Sequence, residues 1–220
     1  MLYDKDIREP LFDFLEETYG KMRIIEEKQV GRSRADIVMV LPGRLIGIEI
    51  KSDADTYVRL ERQVRDYDRY FDQNIVVAGS THGAHVQEHV PEWWGIITVE
   101  QTQEGIDFYI RREAGKNPQM NWKRKLSLLW RPELVHIQEL TQMPRYKEKS
   151  KAFVIEKMIQ KVPEEQRSLL VSEELFERDY TRIEAVIREY KSQNRPASEK
   201  GTVGKRRARR RRTGSRSGMM

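Results

Sequence analysis

Two apolar runs, Ala35–Leu41 (ADIVMVL) and Arg44–Lys51 (RLIGIEIK), stand on either side of a single Pro-Gly step. Short runs rich in Ile and Val read as strands, and Pro-Gly reads as a turn, so the segment predicts a β-hairpin. Strand-forming sequence usually keeps charge off buried positions. Here Asp36 opens the first run, and Glu49 and Lys51 close the second. Side chains two apart on a strand share a face, so Glu49 and Lys51 point one way while Ile48 and Ile50 point the other. Asp36, at the start of the antiparallel partner, meets the end of the Glu49 strand. Two carboxylates and an ammonium then converge at one edge of a sheet. Neighbouring carboxylates repel unless a cation lies between them. A hard divalent ion, Mg²⁺ or alternatively Mn²⁺, supplies that charge and prefers carboxylate and water oxygens. Lys51 is placed to position or activate an attacking water and to stabilise negative charge in the transition state. Such a set is suited to hydrolysing a phosphodiester.

Around the hairpin the periodicities alternate between helix and strand. Residues 4–19 put Ile7, Leu11, Phe14 and Leu15 on one helical face, with Asp4 as a cap, Gly20 as a stop and Pro10 marking a kink or a late start. Residues 22–30 (MRIIEEKQV) read as a strand preceding the hairpin. A long helix is predicted over 55–71, with Tyr57, Leu60, Val64, Tyr67 and Phe71 at helical spacing and Asp55 as its cap. A buried strand follows at 74–80, a short helix at 82–89 and a strand at 94–100. The reading is an α/β fold: helix, three-stranded antiparallel meander, helix, strand, helix, strand, in which the last strands are reached by helical crossovers. The core ends near residue 110, with a linker at 111–121. A helical C-terminal region over 122–192 and an arginine-rich tail over 193–220 complete the domain plan.

The residues so placed resemble a family. Asp36 followed by Glu49-Ile50-Lys51 looks like the signature of the PD-(D/E)xK, or restriction-endonuclease-like, nuclease superfamily, with Ala35 in place of the Pro. Gln63 and Tyr67 in QVRDY look like the Q-x-x-x-Y element of its RecB-like members, and one helical turn separates them. Glu26 or Glu27 stands where the family's additional acidic ligand is found, and Glu27 keeps the better register, with Val30 three residues later. The resemblance covers roughly residues 4–100. It implies a restriction-endonuclease-like core and a Mg²⁺-dependent deoxyribonuclease. Metal ligands would be Asp36, Glu49, the Ile50 carbonyl and Glu27 or Glu26. The candidate catalytic set is Asp36, Glu49 and Lys51, supported by Gln63 and Tyr67 through contact with Lys51 or a DNA phosphate. Taken singly, each charged residue would read as a surface ion-pair partner; it is their order and spacing together that carry the resemblance. DNA is the expected partner, RNA the alternative, in the cytoplasm of a bacterial or phage-infected cell. The rival function is non-catalytic nucleic-acid binding.

Other features weigh less. His82, His85 and His89 fall at helical spacing without an evident fourth ligand, so an exposed or DNA-facing helix is favoured over a metal site. One of Trp93 and Trp94 is expected in the core. The segments flanking TQMPRYKEK loosely resemble a helix-extended-helix DNA-binding module with a connector bearing Arg145, Lys147, Lys149 and Lys151. The alternative is a cap packed through Leu128, Leu129, Trp130 and Leu134. Arg59, Arg62, Arg65 and Arg69 lie on the predicted helix with Gln63; some, Arg59 and Arg62 foremost, are candidates for binding phosphates, and others are solvated or paired with Asp66 and Asp68. The chain has no Cys, which excludes disulfides and Cys-ligated zinc. No apolar run approaches the roughly 20 residues needed to span a bilayer, and no secretory signal or membrane association is expected.

The net charge of +6 is local in origin. Residues 200–220 hold nine Lys or Arg and no acid, leaving 32 basic against 35 acidic residues elsewhere, a net of −3. Lys205, Arg206, Arg207, Arg209, Arg210, Arg211 and Arg212 form the cluster. With almost no apolar surface to bury, this tail is expected to be disordered alone and to bind polyanions. Deleting residues 200–220 should therefore flatten the dependence of log DNA affinity on log salt, which falls by about 0.9 per phosphate neutralised on duplex. Binding isotherms in a salt series check this, and an unchanged slope would make the tail a passive extension.

Overall fold

In the computed structural model, which describes residues 2–103 and 105–179 (Ser80 by its backbone only), the hairpin forms at the Pro-Gly step. Strands β2 (Ser33–Leu41) and β3 (Arg44–Lys51) pair antiparallel from Leu41↔Arg44 to Ile37↔Ile48. Strand β1 (Arg23–Val30) pairs antiparallel with β2. Strands β4 (Gln73–Gly79) and β5 (Gly95–Gln101) add in parallel after β3, and β6 (Ile106–Arg112) closes the far edge antiparallel to β5. The six strands lie in chain order. Both parallel steps are reached by helical crossovers: helix α2 (Leu60–Tyr67) after a short 3₁₀ turn, then α3 (Ser80–Gly83) with a second 3₁₀ turn.

The sheet is covered on both faces because its central strands are apolar on both. On one side Ile37, Met39, Ile46, Ile48, Ile50, Ile75 and Val77 pack against Ile7, Leu11 and Leu15 of helix α1 (Asp4–Tyr19). On the other, Val38, Val40, Leu45, Val76 and Ala78 pack against Leu60, Val64 and Tyr67 of α2. That second core also takes in Leu126, Leu128, Leu129 and Leu134 from the C-terminal helices α4 (Trp122–Ser127) and α5 (Arg131–Leu140) and the turn between them. Helices α6 (Lys151–Lys161) and α7 (Glu164–Phe176) complete the layer.

Polar anchors tie this layer down. Lys125, fully buried, places its ammonium 2.7 Å from both oxygens of Asp72, which also accepts the Leu45 amide. Arg178 grips Glu133 through two bonds of 2.7 Å and stacks on Trp130. Lys151 donates to the Ser127 carbonyl and Arg145 pairs with Glu139, so part of the basic connector is engaged internally, as a packed cap requires. Met1–Asp179 form one compact unit. Among the described residues no helix is long and apolar enough to cross a membrane. The remainder of the helical region predicted to residue 192, and the arginine-rich tail, lie outside the described residues.

Several boundaries move from the sequence reading. Asp4 does not cap α1: Tyr3 occupies that position, its amide bonding Asp6, while Asp4 pairs with Arg8 one turn on. The helix runs through Pro10, so Pro10 does not delay its start. The predicted helix 55–71 shortens to α2 and its 3₁₀ turn, because Asp55 folds back on Ser52 instead of capping. The predicted helix 82–89 divides into α3 and a 3₁₀ turn at Val86–Glu88. The proposed linker begins inside β6, a strand whose side chains are largely exposed and so gave little hydrophobic signal. Trp94 is the core tryptophan; its indole and that of Trp93 both donate to Asp68.

One glycine sets how closely α2 approaches the sheet. A Cβ on Gly47, in mid-β3, would lie 2.3 Å from the Phe71 ring and 2.8 Å from that of Tyr67. Gly47→Ala should cost about 1–3 kcal/mol by overpacking, as read from urea unfolding. A cost near zero would mean the α2 turn slides freely on β3.

Candidate active site

The hairpin splays apart where its charges are. Pairing between β2 and β3 stops at Ile37↔Ile48, just before Asp36 and Glu49 would face each other. The amide of Ile50 instead donates to Asp36 Oδ2 at 2.9 Å, so a side chain replaces a ladder bond. Alternation also breaks here, since Ala35 and Ile37, two residues apart, sit in opposite cores. On the other side of β2, pairing with β1 skips the position where Glu27 faces Asp36. Glu27 adopts φ 54°, a left-handed conformation uncommon for a non-glycine residue and often found at functional sites.

Glu49 and Lys51 are not surface ion-pair partners; they are 1% and 2% exposed. Lys51 Nζ donates to Glu49 Oε1 at 2.5 Å and to Gln63 Oε1 at 3.1 Å, and the Gln63 amide donates to the same Glu49 oxygen. The hydroxyl of Tyr67 donates to Glu49 Oε2 at 2.6 Å and accepts the Asp36 amide at 3.2 Å. Gln63 and Tyr67 thus act on the site from one helical face, Gln63 reaching Lys51 and Tyr67 reaching Glu49. Tyr67 is fully buried, so it positions carboxylates rather than touching a phosphate. Burial and the charges of Glu49 and Asp36 push its hydroxyl well above the usual tyrosine range.

A cleft of about 400 Å³ opens over these groups, lined by Asp36, Glu49, Lys51 and Gln63, with Glu27 from β1 and Arg59 and Arg62 from the α2 segment. Ile50 lines it too; the contact the structure gives Ile50 is through its amide. Glu26 does not line the cleft, and its carboxylate pairs with Arg8. His82 and His89 flank the ring of Tyr57, His89 stacked at 3.9 Å, while the exposed His85 meets Glu88. Among the described residues no group of three His, Cys, Asp or Glu side chains draws close enough to hold an ion by itself.

Sequence reasoning missed Arg8. From α1 it bonds Asp4 at 2.7 Å, Glu27 at 2.8 Å, Glu26 at 3.2 Å and the Asp36 carbonyl at 3.4 Å, and lies 3.9 Å from Asp36 Oδ1. With Arg34, which pairs with Glu27, it supplies positive charge among the outer carboxylates. Burial works to lower its pKa, but Asp4, Asp36 and Glu27 more than offset that and hold it firmly charged. The available signal was Asp4 four residues earlier on a predicted helix, a spacing too common to single out.

A family model described as Bacteriophage P4 protein cII matches residues 1–194. The chain belongs to that family. The match to the phage P4 cII family spans the sheet, the cleft and all seven described helices. No match is found among curated proteins. Among solved structures, SfsA of Pyrococcus furiosus in complex with Ca²⁺ is similar, with 19% identity and a TM-score of 0.29, over 48% of this chain and 59% of that one. The chain thus spans less than two thirds of that protein's length, and at this level the likeness informs neither fold nor function.

The electrostatics of the cleft centre on Asp36. Burial, and then the charge of Glu49, push its carboxyl up to about 7; the Ile50 amide, Lys51 and Arg8 only partly counter this. A raised carboxyl means the folded state holds that proton more tightly than the unfolded chain does. The resulting stabilisation is complete below about pH 4 and is lost as pH rises through about 7. Asp36→Asn removes the ionisation, while Glu27, Arg8, Glu49, Lys51 and Tyr67 remain around it. In metal-free buffer, urea unfolding should therefore show wild type losing stability relative to Asp36→Asn between about pH 4 and pH 7, and levelling off above that. A constant difference across that range would mean Asp36 is charged throughout.

Proposed function

We propose that this protein is a divalent-metal-dependent nuclease with a PD-(D/E)xK, RecB-like active site on a restriction-endonuclease-like core, acting on DNA. The observation that carries the reading is the meeting of Asp36, Glu49, Lys51, Gln63 and Tyr67 in one bonded group at the floor of a cleft. These are the positions that the resemblance selects, and they come from three elements, β2, β3 and α2. Membership of a phage family is in keeping with a role in phage DNA processing, recombination, repair or defence.

The donor set fits Mg²⁺ or Mn²⁺. Magnesium is typically held by one or two carboxylates, with waters and substrate phosphate oxygens filling the remaining positions. Asp36 and Glu49 supply such a pair, both lining the cleft. Glu27, which lines the cleft, is the better third acidic candidate than Glu26, and the Ile50 carbonyl is the backbone candidate. When bound, the ion would neutralise phosphate charge and lower the barrier to attack by water.

The chain's own groups do the rest. Lys51 is fixed by Glu49 and Gln63, which use two of its three donors and leave one for a phosphate oxygen or the attacking water. Gln63 keeps the ammonium from swinging, and Tyr67 keeps the Glu49 carboxylate from turning. Arg59 and Arg62 at the cleft rim attract the polyanion.

Linear and circular DNA incubated with Mg²⁺ or Mn²⁺ test the reading. Asp36→Asn should abolish cleavage. Lys51→Met, which keeps most of the buried volume, should lower turnover by about 10²–10³ while DNA affinity stays near wild type. Circular dichroism of each sample checks that the buried Glu49 has not unfolded the protein. Undiminished cleavage in a folded Asp36→Asn variant would sink the assignment. Equal losses of binding and cleavage in Lys51→Met would reduce Lys51 to a phosphate contact. RNA cleaved in preference to DNA would move the substrate to the alternative class.

A further inference from the structure

A second groove, also of about 400 Å³, adjoins the cleft and shares Arg32 and Arg62 with it. Its walls carry five exposed arginines: Arg32 on the β1–β2 turn, Arg62, Arg65 and Arg69 on α2 and the turn after it, and Arg124 on α4. Arg65 pairs with Glu61, whereas Arg32, Arg62, Arg69 and Arg124 enter no ion pair among the described residues. The groove's acid, Asp66, is already committed. Its Oδ2 accepts the Arg32 amide at 3.1 Å and the Ser33 hydroxyl at 2.7 Å. Tyr70 accepts the Gly31 amide at 3.2 Å from the same helical layer. Gly31, at φ 59°, lets the turn lie against α2: a Cβ there would sit 2.4 Å from Asp66 Oδ1. The turn that presents Arg32 is therefore clamped to the helix that presents Arg62 and Arg69.

Asp66 places one carboxylate among these five guanidinium groups and Glu61 pairs with Arg65, so positive charge stays in excess along the groove, and an anion offsets it. The groove's ring, on Tyr70, is 6% exposed, so there is no open aromatic surface on which bases could stack. The groove's open donors are guanidinium groups, which suit phosphate oxygens, and no side-chain amide stands among them to read adenine. We propose that it binds the sugar–phosphate backbone of the strand entering the cleft, holding phosphates beyond the one to be cleaved, irrespective of sequence. The identity of the strand rests on the nuclease reading; the phosphate chemistry does not. Through Arg124 the C-terminal helical layer becomes part of the substrate path as well as a cap.

The test uses the full chain in an Asp36→Asn background, so that binding is read without cleavage. Arg69→Glu with Arg124→Glu alters two exposed residues that line the groove and not the cleft. Anisotropy titrations compare thymidine monophosphate, oligothymidylate and oligouridylate of about 20 nucleotides, and a mixed-sequence strand of equal length. The double variant should weaken all three oligomers at least tenfold. It should also flatten their salt slopes by about 1.4, the effect of losing two phosphate contacts on a single strand. Monophosphate binding should not change. Unchanged oligomer affinity and slope would leave the arginines as solvated surface charge. Equal losses for monophosphate and oligomer would make the groove a mononucleotide pocket. A loss confined to DNA or to RNA would show that the sugar is read. Each of these overturns the proposal. A wild-type protein that cuts nothing, with oligomer binding still lost in the double variant, would sink the nuclease reading and leave the groove standing.

Discussion

The buried carboxylate of Glu49 is the constraint on which the rest of this site depends. A charge that is 1% exposed is sustained only when paired and fully hydrogen-bonded. Glu49 meets that condition through Lys51 on its own strand and through Gln63 and Tyr67 on α2. Removing one partner of a buried pair typically costs about 3–5 kcal/mol, so strand and helix are locked together by their polar ends as well as by their apolar faces. Gly47 sets the spacing of that lock by letting the Tyr67 and Phe71 rings lie directly on β3.

The lock explains why the sheet opens where it does. β2 and β3 remain paired through their apolar lengths and part at Asp36, where a carboxylate takes over the bond to the Ile50 amide. β1 is distorted at the facing position, with Glu27 in a left-handed conformation. Glu27, Asp36 and Glu49, one from each strand of the meander, thus line one cleft together with Asp4 and Asp55. Their mutual repulsion is met from below by Lys51 and from α1 by Arg8. The carboxyl of Asp36 is raised to about 7 by burial first and by the charge of Glu49 second, and Lys51 and Arg8 only partly counter this.

The C-terminal helices belong to the same construction. Lys125 reaches Asp72 at the end of the α2 crossover, and Leu126, Leu129 and Leu134 extend the core that holds Tyr67. Arg124 then adds to a basic surface running from the cleft along α2. An acidic cleft thus lies directly beside a basic surface, with Arg32 and Arg62 common to both.

Period-two and helical spacing made the sheet's central strands, α1 and α2 legible, because their apolar residues are buried and repeat with the backbone. The face shared by Glu49 and Lys51, and by Gln63 and Tyr67, followed from the same geometry. β6 escaped notice because its side chains are mostly exposed, and the ends of α1 and α2 shifted because Asp4 and Asp55 bond elsewhere than at a cap. The sequence by itself determined which residues lie on which face of each element. Only the tertiary structure decided that Arg8 enters the carboxylate group, that Glu27 and not Glu26 lines the cleft, and that Arg124 joins arginines more than fifty residues away. The physical reason is that periodicity is a property of one segment, whereas a buried charge is satisfied by whichever elements pack against it, and their distance along the chain leaves no local pattern to read.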